Sequence, residues 1–391
     1  MKVVVLTSAT GGGHNMRARS LTQWAERERP RWKVRVHPVL EASHGLYHFG
    51  VELYNFIQRN CPALHHIYFN YLELAGMFRH GKHILGSERF VAMLEEERPD
   101  VIVSVHGSTN HGFFDIARSV LGRDKVRCAT YCAEMDGSYG FSRHWVNPDA
   151  DLFIGSVPET LEAAAWRGMP KERAKVGGFL LHPSFYAADD PVETAAFWRD
   201  TVGLDPARFT VILSTGANSA NNHDRFLRAL RRIGRPLQVV ALCGTSQPTR
   251  LRVESMRKQL HDDGVTVRAL PKTDKMALLM RRASAIVARP GSGTANEAIQ
   301  SGCPLIFNRH GALMPQEMIT EHYGAAYGLS ESIGNGAGLT ALLRTWIDRP
   351  AIPRLIRERM LAIRPRQHPT DILAMLEQAA ASRTNPKVSA S

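Results

Sequence analysis

Arg289-Pro290-Gly291-Ser292-Gly293-Thr294-Ala295-Asn296-Glu297 is the stretch whose reading decides the fold of this chain. The apolar run before it, Ala285-Ile286-Val287-Ala288, reads as a buried strand. Ala298-Ile299-Gln300 after it reads as a helix that stops at Gly302. Strand, glycine turn and helix together make an anion site. The glycines let the backbone come close to a phosphate, and the amides at the helix start donate to it. Glu297 falls one turn into that helix, too deep for a phosphate. A carboxylate there suits a pair of sugar hydroxyls, such as those of a nucleotide ribose.

Outward from this stretch, the same pattern opens the chain. Residues 2 to 8 read as a strand, Thr10-Gly11-Gly12-Gly13-His14 as a turn, and Asn15 to Arg27 as a helix ended by Pro30. Lys33 to Pro38 alternates like a second strand. The turn thus lies at the carboxyl end of the first strand, where open parallel sheets bind ligands. His14 stands near the amino end of a helix, whose field disfavours imidazolium, so the ring is expected to be a neutral base. Pro99 to Val105 is a strand that ends at a second histidine, His106. Lys125 to Cys132 is another, followed by Glu134-Met135-Asp136-Gly137. Asp149-Ala150-Asp151 has the spacing to hold a divalent metal against a diphosphate. It abuts the start of the strand Leu152 to Gly155, the wrong end for a ligand, and reads as turn chemistry.

The second half repeats the theme. Phe209 to Ala217 is a strand and a small-residue turn, followed by strands at 237–243, 265–270, 285–288 and 304–307. The expected class is α/β with two βαβ domains. Their expected limits are 1–182 and 207–352. A proline-rich connection at 183–206 carries one short helix around Trp198. Helices at 353–382 and a small polar tail at 383–391, expected to be disordered, complete the chain.

Composition narrows the functional classes. A chain of 391 residues with 44% apolar content has room for two ordinary domains. No apolar run reaches the roughly 18 residues of a membrane span, and the N-terminus reads as a first strand, not a signal peptide. Five cysteines without a Cys-x-x-Cys argue for a reducing compartment. Cys128, Cys132 and His144 form only a weak zinc pattern, and no metal is expected. The net charge of +12 fits nucleic acid, anionic lipid or a phosphate-rich substrate. No nucleic-acid signature is present, so nucleic acid is not an expected partner. Arg225, Arg228, Arg231, Arg232 and Arg235 cluster on one expected helix and read as a solvated face. Residues 41 to 90 are crowded with aromatics (Tyr54, Phe56, Tyr68, Phe69, Tyr71, Phe78), with histidines, Arg59, Arg79 and Lys82 between them. Two helical hairpins packed into a core explain this segment, and so does a surface that lies on a bilayer.

Three motifs in order carry a resemblance: Gly11-Gly12-Gly13-His14, Gly291-Ser292-Gly293-Thr294-Ala295-Asn296-Glu297-Ala298, and Pro315-Gln316-Glu317. The chain resembles the GT-B glycosyltransferases of the monogalactosyldiacylglycerol synthase and processive diacylglycerol glucosyltransferase group, and more distantly MurG. The likeness covers most of residues 1 to 330; His106, Trp145 and the passage Gly177 to Phe185 also fit. Three places depart from the pattern. The family's Asp after the strand at 126–131 is here Glu134 or Asp136. An Arg before the Pro183 position is His182. The glycine-rich loop of the second domain is Ser214-Thr215-Gly216-Ala217-Asn218.

The resemblance implies two Rossmann-like domains facing across a cleft, inversion at the anomeric carbon and no metal. The final helices, from Pro353 onward, would cross back to the first domain, and a UDP-sugar would lie on the second. Its diphosphate would meet the Gly216–Ala217 and Ser292-Gly293-Thr294 amides in the stretch from Arg289 and Gly291, and Glu297 would hold the ribose. Uracil would pair with backbone near Leu270, and Gln316 and Glu317 would hold the sugar. The acceptor would sit on the first domain beside Gly12, Gly13 and His106. An acceptor hydroxyl needs a base within reach; His14 is the first choice, with Glu134 or Asp136 orienting or replacing it. A membrane lipid such as diacylglycerol is the expected acceptor. The expected location is cytoplasmic, bound peripherally to the inner, anionic face of a bacterial cell membrane. A soluble or polyprenyl acceptor, or a nucleotide-sugar isomerase or binding module on the same scaffold, are the alternatives.

Overall fold

The computed structural model describes residues 1–76, 78–214 and 223–382. The chain divides into two compact units. The first comprises Met1–Pro183, Met314–Ile319 and the segment that starts at Pro365. The second comprises Ser184–Leu313 and Thr320–Arg364. Each is built on a six-stranded sheet in which every pairing is parallel.

The first sheet contains β1 (Lys2–Thr7), β2 (Lys33–Pro38), β3 (Val101–Ser104), β4 (Arg127–Cys132), β5 (Leu152–Gly155) and β6 (Ala174–Val176), in the order β2-β1-β3-β4-β5-β6. Its central strands are buried almost throughout: Val3, Val4, Val5 and Leu6 of β1 and all of β3 and β5. That is why they read as short apolar runs and not as alternating ones. Helix α1 (Gly13–Glu28) follows β1, and the insertion after β2 holds α2 (Val39–Ser43), α3 (Gly45–Asn60) and α4 (His65–Ala75).

The second sheet contains β7 (Thr210–Ser214), β8 (Leu237–Gly244), β9 (Val265–Pro271), β10 (Ala285–Ala288), β11 (Leu305–Asn308) and β12 (Ser330–Ile333), in the order β12-β11-β10-β7-β8-β9. In each sheet the chain starts in the middle and reverses direction once. The reversal lies between β1 and β3 in the first sheet and between β7 and β10 in the second. Such a switch point is where the loops at the strands' carboxyl ends diverge and leave a crevice for ligand.

Three boundaries differ from the sequence expectation. Residues 184–206 are not a free connection but part of the second unit. Trp198 is fully buried there and its indole N–H donates to the Leu278 carbonyl at 3.1 Å. Arg281 donates to the carbonyls of Ser184 and Ala187. The C-terminal helices, expected from Pro353 onward to cross back to the first domain, divide between the units, and the last one does group with the first. Ala351–Ile363 stays with the second unit, where Arg357 donates to Arg281 and Ala283 carbonyls. Pro369–Ala381 belongs to the first, where Glu377 pairs with Arg29 of α1 at 2.9 Å. Gln316 and Glu317, expected on the second domain, group with the first unit. The tail 383–391 lies outside the described residues.

Candidate functional site

Two successive left-handed residues, Gly11 (φ 67°) and Gly12 (φ 78°), turn the chain from β1 straight into α1. A side chain at either position would be strained. The loop is clamped from several sides. Glu41 of α2 accepts from the Ser8 hydroxyl at 3.0 Å and the Ala9 amide at 2.6 Å. Thr7 donates to the side chain of Asn15. The resulting turn places His14 in the first turn of α1 and brings it to the end of β3, the neighbouring strand across the switch point.

The hydrogen bonds assign the protons on both histidines. His14 Nδ1 lies 2.8 Å from the Val105 carbonyl oxygen, which only accepts, so Nδ1 carries the proton. Burial first, then the neighbouring His106 and Arg17, holds the ring well below its ordinary range and therefore neutral. Its Nε2 is then a bare lone pair. His106 has the opposite tautomer. Its Nδ1 accepts from the Ser108 amide at 3.1 Å, so Nε2 carries the proton and donates to the Thr10 hydroxyl at 2.9 Å. Burial pushes His106 down to about 4. The two rings meet edge to face with centroids 4.4 Å apart, and Trp145 lies 5.9 Å from His14. His106 thus ties the glycine loop to the β3 loop, while His14 is the ring whose Nε2 carries an unprotonated lone pair.

The two acidic candidates separate. Glu134 follows β4 and is buried, and burial, opposed by Arg17, pushes its carboxyl up to about 7. Asp136 accepts from the Ser138 amide at 2.7 Å and so caps a local turn. Asp151 accepts from the Cys128 amide and from Arg118, which is turn and strand-end chemistry. Cys128 and Cys132 are buried thiols, and burial pushes Cys128 up to about 12. Among the described residues no group of three or more His, Cys, Asp or Glu is placed to hold a metal ion.

Sequence reading missed several members of this site. Asn55 of α3 accepts from the Gly11 amide at 3.2 Å and donates to the Ala9 carbonyl at 3.3 Å. Tyr54 accepts from the Gln316 amide at 2.5 Å, and burial raises its phenol. This bond ties Gln316 to α3. Glu317 accepts from the Met314 amide at 2.9 Å and so caps the start of the helix Pro315–Ala326. Asn110, fully buried, donates to the carbonyls of Gly107, His144 and Trp145 and locks the His106 loop. Apart from the local bonds Glu317–Met314 and Asn110–Gly107, these partners stand tens to hundreds of positions apart, beyond any local pattern.

In the second unit, β7 and β10 pair with Ile286 opposite Ile212. The turn Arg289–Gly291 therefore leaves the sheet beside the end of β7. Gly216 and Ala217, the expected partners across it, lie outside the described residues. The helix Ser292–Ser301 begins with no side-chain cap, so its first amides (Ser292, Gly293, Thr294) point outward from the helix start. A Cβ at Gly291 would meet nothing within 4 Å among the described residues, and its φ of −84° is ordinary. Neither its conformation nor its packing against the described residues requires a glycine there; close approach by a ligand would. Glu297 is buried in the same helix. Leu270 lies near the carboxyl end of the edge strand β9, whose outer backbone groups face no neighbouring strand.

Arg289 has a role that its position in the glycine stretch does not announce. Its guanidinium donates to the carbonyls of Asn308, His310 and Ala312 at 3.3, 2.8 and 2.5 Å. It thus props the loop after β11, where Gly311 (φ 82°) and Ala312 (φ 71°) are both left-handed. Of the arginine cluster, Arg228, Arg231 and Arg235 pair with Asp224, Asp263 and Asp348. Those charges are largely answered within the unit.

Known proteins resemble this chain in sequence and in fold. The processive diacylglycerol β-glucosyltransferase of Staphylococcus carnosus is 24% identical over 63% of this chain and 59% of its own length. The probable chloroplastic monogalactosyldiacylglycerol synthase of Glycine max is 24% identical over 78% of this chain and 58% of its own. The chain thus spans little more than half the length of these curated relatives. Among solved structures, MurG of Acinetobacter baumannii superposes with a TM-score of 0.58 at 15% identity, covering 97% of this chain and 99% of that one. HepE of Anabaena, in complex with UDP, does so with a TM-score of 0.54 at 16% identity, covering 98% and 100%. These likenesses carry the fold, two parallel α/β sheets in tandem as in the GT-B class. Residues 213–309 match the glycosyltransferase family 28 C-terminal domain, and the second unit is built around that domain.

Proposed function

We propose that this protein is an inverting glycosyltransferase that moves a hexose from a UDP-sugar to a diacylglycerol-type lipid at an anionic membrane surface. One observation carries the chemistry: a neutral His14 whose Nδ1 proton is held by the Val105 carbonyl, leaving Nε2 bare beside the switch point of the first sheet. That nitrogen takes the acceptor hydroxyl's proton as the oxygen attacks the anomeric carbon. The bond to the diphosphate breaks on the opposite side, and UDP leaves with the electron pair. No metal is needed in this reading. The first-turn amides Ser292–Thr294, with Gly216 and Ala217, hold the diphosphate, Glu297 the ribose and Leu270 the uracil. Gln316 and Glu317 face the sugar, and Gly12, Gly13 and His106 line the acceptor side. Glu134 assists His14; Asp136, committed to a turn, does not.

The donor class is supported by the family 28 match and by the UDP held in HepE. The acceptor class is supported by the relatives' lipid activities and by an apolar surface on the first unit. Leu46, Phe49 and Phe56 of α3 are exposed, as are Ile67, Tyr71 and Leu74 of α4 at 71%, 60% and 83%. Residues 67, 71 and 74 form one helical stripe. Exposed apolar side chains grouped on two successive helices suit an interaction site, and exposed Arg59, Arg79 and Lys82 lie in the same segment. Each basic residue near an anionic leaflet contributes about 1 kcal/mol. No helix among the described residues is long and apolar enough to cross a membrane. The association proposed is therefore peripheral, at the inner face of a bacterial cell membrane.

Mass spectrometry of the products from several UDP-sugars and a membrane lipid extract tests the reading. A glycosylated diacylglycerol is expected. Products only on soluble or polyprenyl acceptors would overturn the lipid assignment. Conversion of UDP-sugar with no acceptor present would replace transfer by isomerisation.

A further inference from the structure

Helix α3 is used on two sides. Leu46, Phe49 and Phe56 stand exposed along one side, while Tyr47 and Val51 are buried along the other. From the same helix Asn55 reaches the glycine loop. Its Oδ1 accepts the Gly11 N–H and its Nδ2 donates to the Ala9 carbonyl. Tyr54, its neighbour, lies so close that a Cβ at Gly11 would be 3.9 Å from the phenol oxygen. Gly11 sits between Thr10, which is tied to His106, and Gly12, the cap of the helix that carries His14. One amide side chain therefore links the helix with the apolar outer face to the loop that sets the base. Its bonds to Gly11 and Ala9, at 3.2 and 3.3 Å, are at the long end of the hydrogen-bond range.

We propose that Asn55 is a positioning residue, and that docking of α3 on an anionic lipid surface tightens its bonds to the glycine loop and so sets that loop and His14 for transfer. This rests on the lipid-surface reading above. The protein free in solution then holds a slack clamp and turns over slowly; the surface-bound protein holds a tight one. Misplacement of a reacting group by about 1 Å costs on the order of 100-fold in rate, so a small tightening suffices.

The test uses the full chain with vesicles of mixed anionic and neutral phospholipid, in the wild type, Asn55→Ala and Asn55→Asp. Amide hydrogen exchange is followed over residues 8–15, together with sedimentation, UDP affinity and turnover on diacylglycerol. In the wild type, vesicles should slow exchange in the loop. In Asn55→Ala they should not, although the protein still sediments and binds UDP; turnover should fall roughly 10- to 100-fold through kcat. Asn55→Asp keeps the acceptor for Gly11 but sets a carboxylate against the Ala9 carbonyl. Protonation restores the donor, so its turnover relative to wild type should rise as pH falls towards the carboxylate range. A merely structural asparagine would recover in the same way but would leave the vesicle-dependent protection of the loop unchanged in Asn55→Ala. Unchanged vesicle-dependent protection in Asn55→Ala, or full turnover, would overturn the proposal. If the wild type transfers no sugar to lipid, the functional reading fails, and the exchange measurement still decides whether the clamp responds to the surface.

Discussion

His14→Asn separates the two jobs of His14. An asparagine amide reaches as far as the imidazole Nδ1 and no further. It can still donate to the Val105 carbonyl, now bonded at 2.8 Å, while nothing occupies the place of Nε2. The base is deleted and the loop anchor kept. Loss of a general base lowers turnover by roughly 10² to 10⁴, which is about 3 to 5 kcal/mol of barrier. His14→Ala deletes the anchor as well and should lose about 0.5 to 1.5 kcal/mol of stability on top. Both variants should bind UDP as the wild type does in calorimetry, since the family 28 segment at 213–309 is elsewhere in the chain. The ring's ionisation gives an independent check. Burial, His106 and Arg17 depress its folded pKa below 6.5, so the native state favours the neutral ring. The stability this links to pH is present above 6.5 and is lost as pH falls through the folded value. Acid denaturation of His14→Asn should accordingly begin at lower pH than in the wild type. If His14→Asn retains most of its turnover on lipid acceptor, proton transfer lies elsewhere and the tautomer argument has no bearing on catalysis.

Three further outcomes follow from the same geometry. Glu297→Gln should weaken UDP-sugar binding by about 1.5 to 3 kcal/mol, the range for hydrogen bonds to a charged group; an unchanged calorimetric affinity would move the ribose elsewhere. Glu134 has a folded pKa pushed from 4.5 up to about 7, so its contribution to stability is present below 4.5 and is lost as pH rises through about 7, roughly 3 kcal/mol in all. Glu134→Gln should abolish that slope in thermal unfolding and remove any limb near pH 7 from the turnover profile; a profile identical to wild type would strip Glu134 of both roles. Ile67→Glu with Leu74→Glu, both on the exposed stripe of α4, should abolish sedimentation with anionic vesicles and leave UDP affinity untouched; binding that persists, or that ignores salt, would place the lipid surface on another face.

The architecture was legible where local chemistry dictates it. Buried runs such as Val3–Leu6 and Ala285–Ala288, each followed by a glycine turn, mark the centre of a parallel sheet, and both lie beside a switch point. The strands that escaped notice are β6 and β12. Both are edge strands whose residues are mostly exposed or half-buried, so no apolar run betrays them. His14 and His106 could be picked out because each stands at a strand's carboxyl end. Their different duties could not, because the tautomers depend on Val105, Ser108 and Thr10, which only the fold assembles.

Arg289 and α3 show where sequence reading stops for a physical reason. An arginine beside a glycine-rich helix start reads as a phosphate ligand. Its guanidinium instead finds carbonyl oxygens about one helix and one strand further on, where two left-handed residues need support. Helix α3 presents apolar residues on more than one side, so periodicity yields two candidate inner faces and no means of choosing. The structure chooses: Tyr47 and Val51 go inward, Phe49 and Phe56 outward. With that choice made, Asn55 is turned onto the glycine loop, 44 residues back in the chain. The polar residue of an apolar helix thus becomes the one to follow, since it is bonded to the site while its helix shows its outer face to the surroundings.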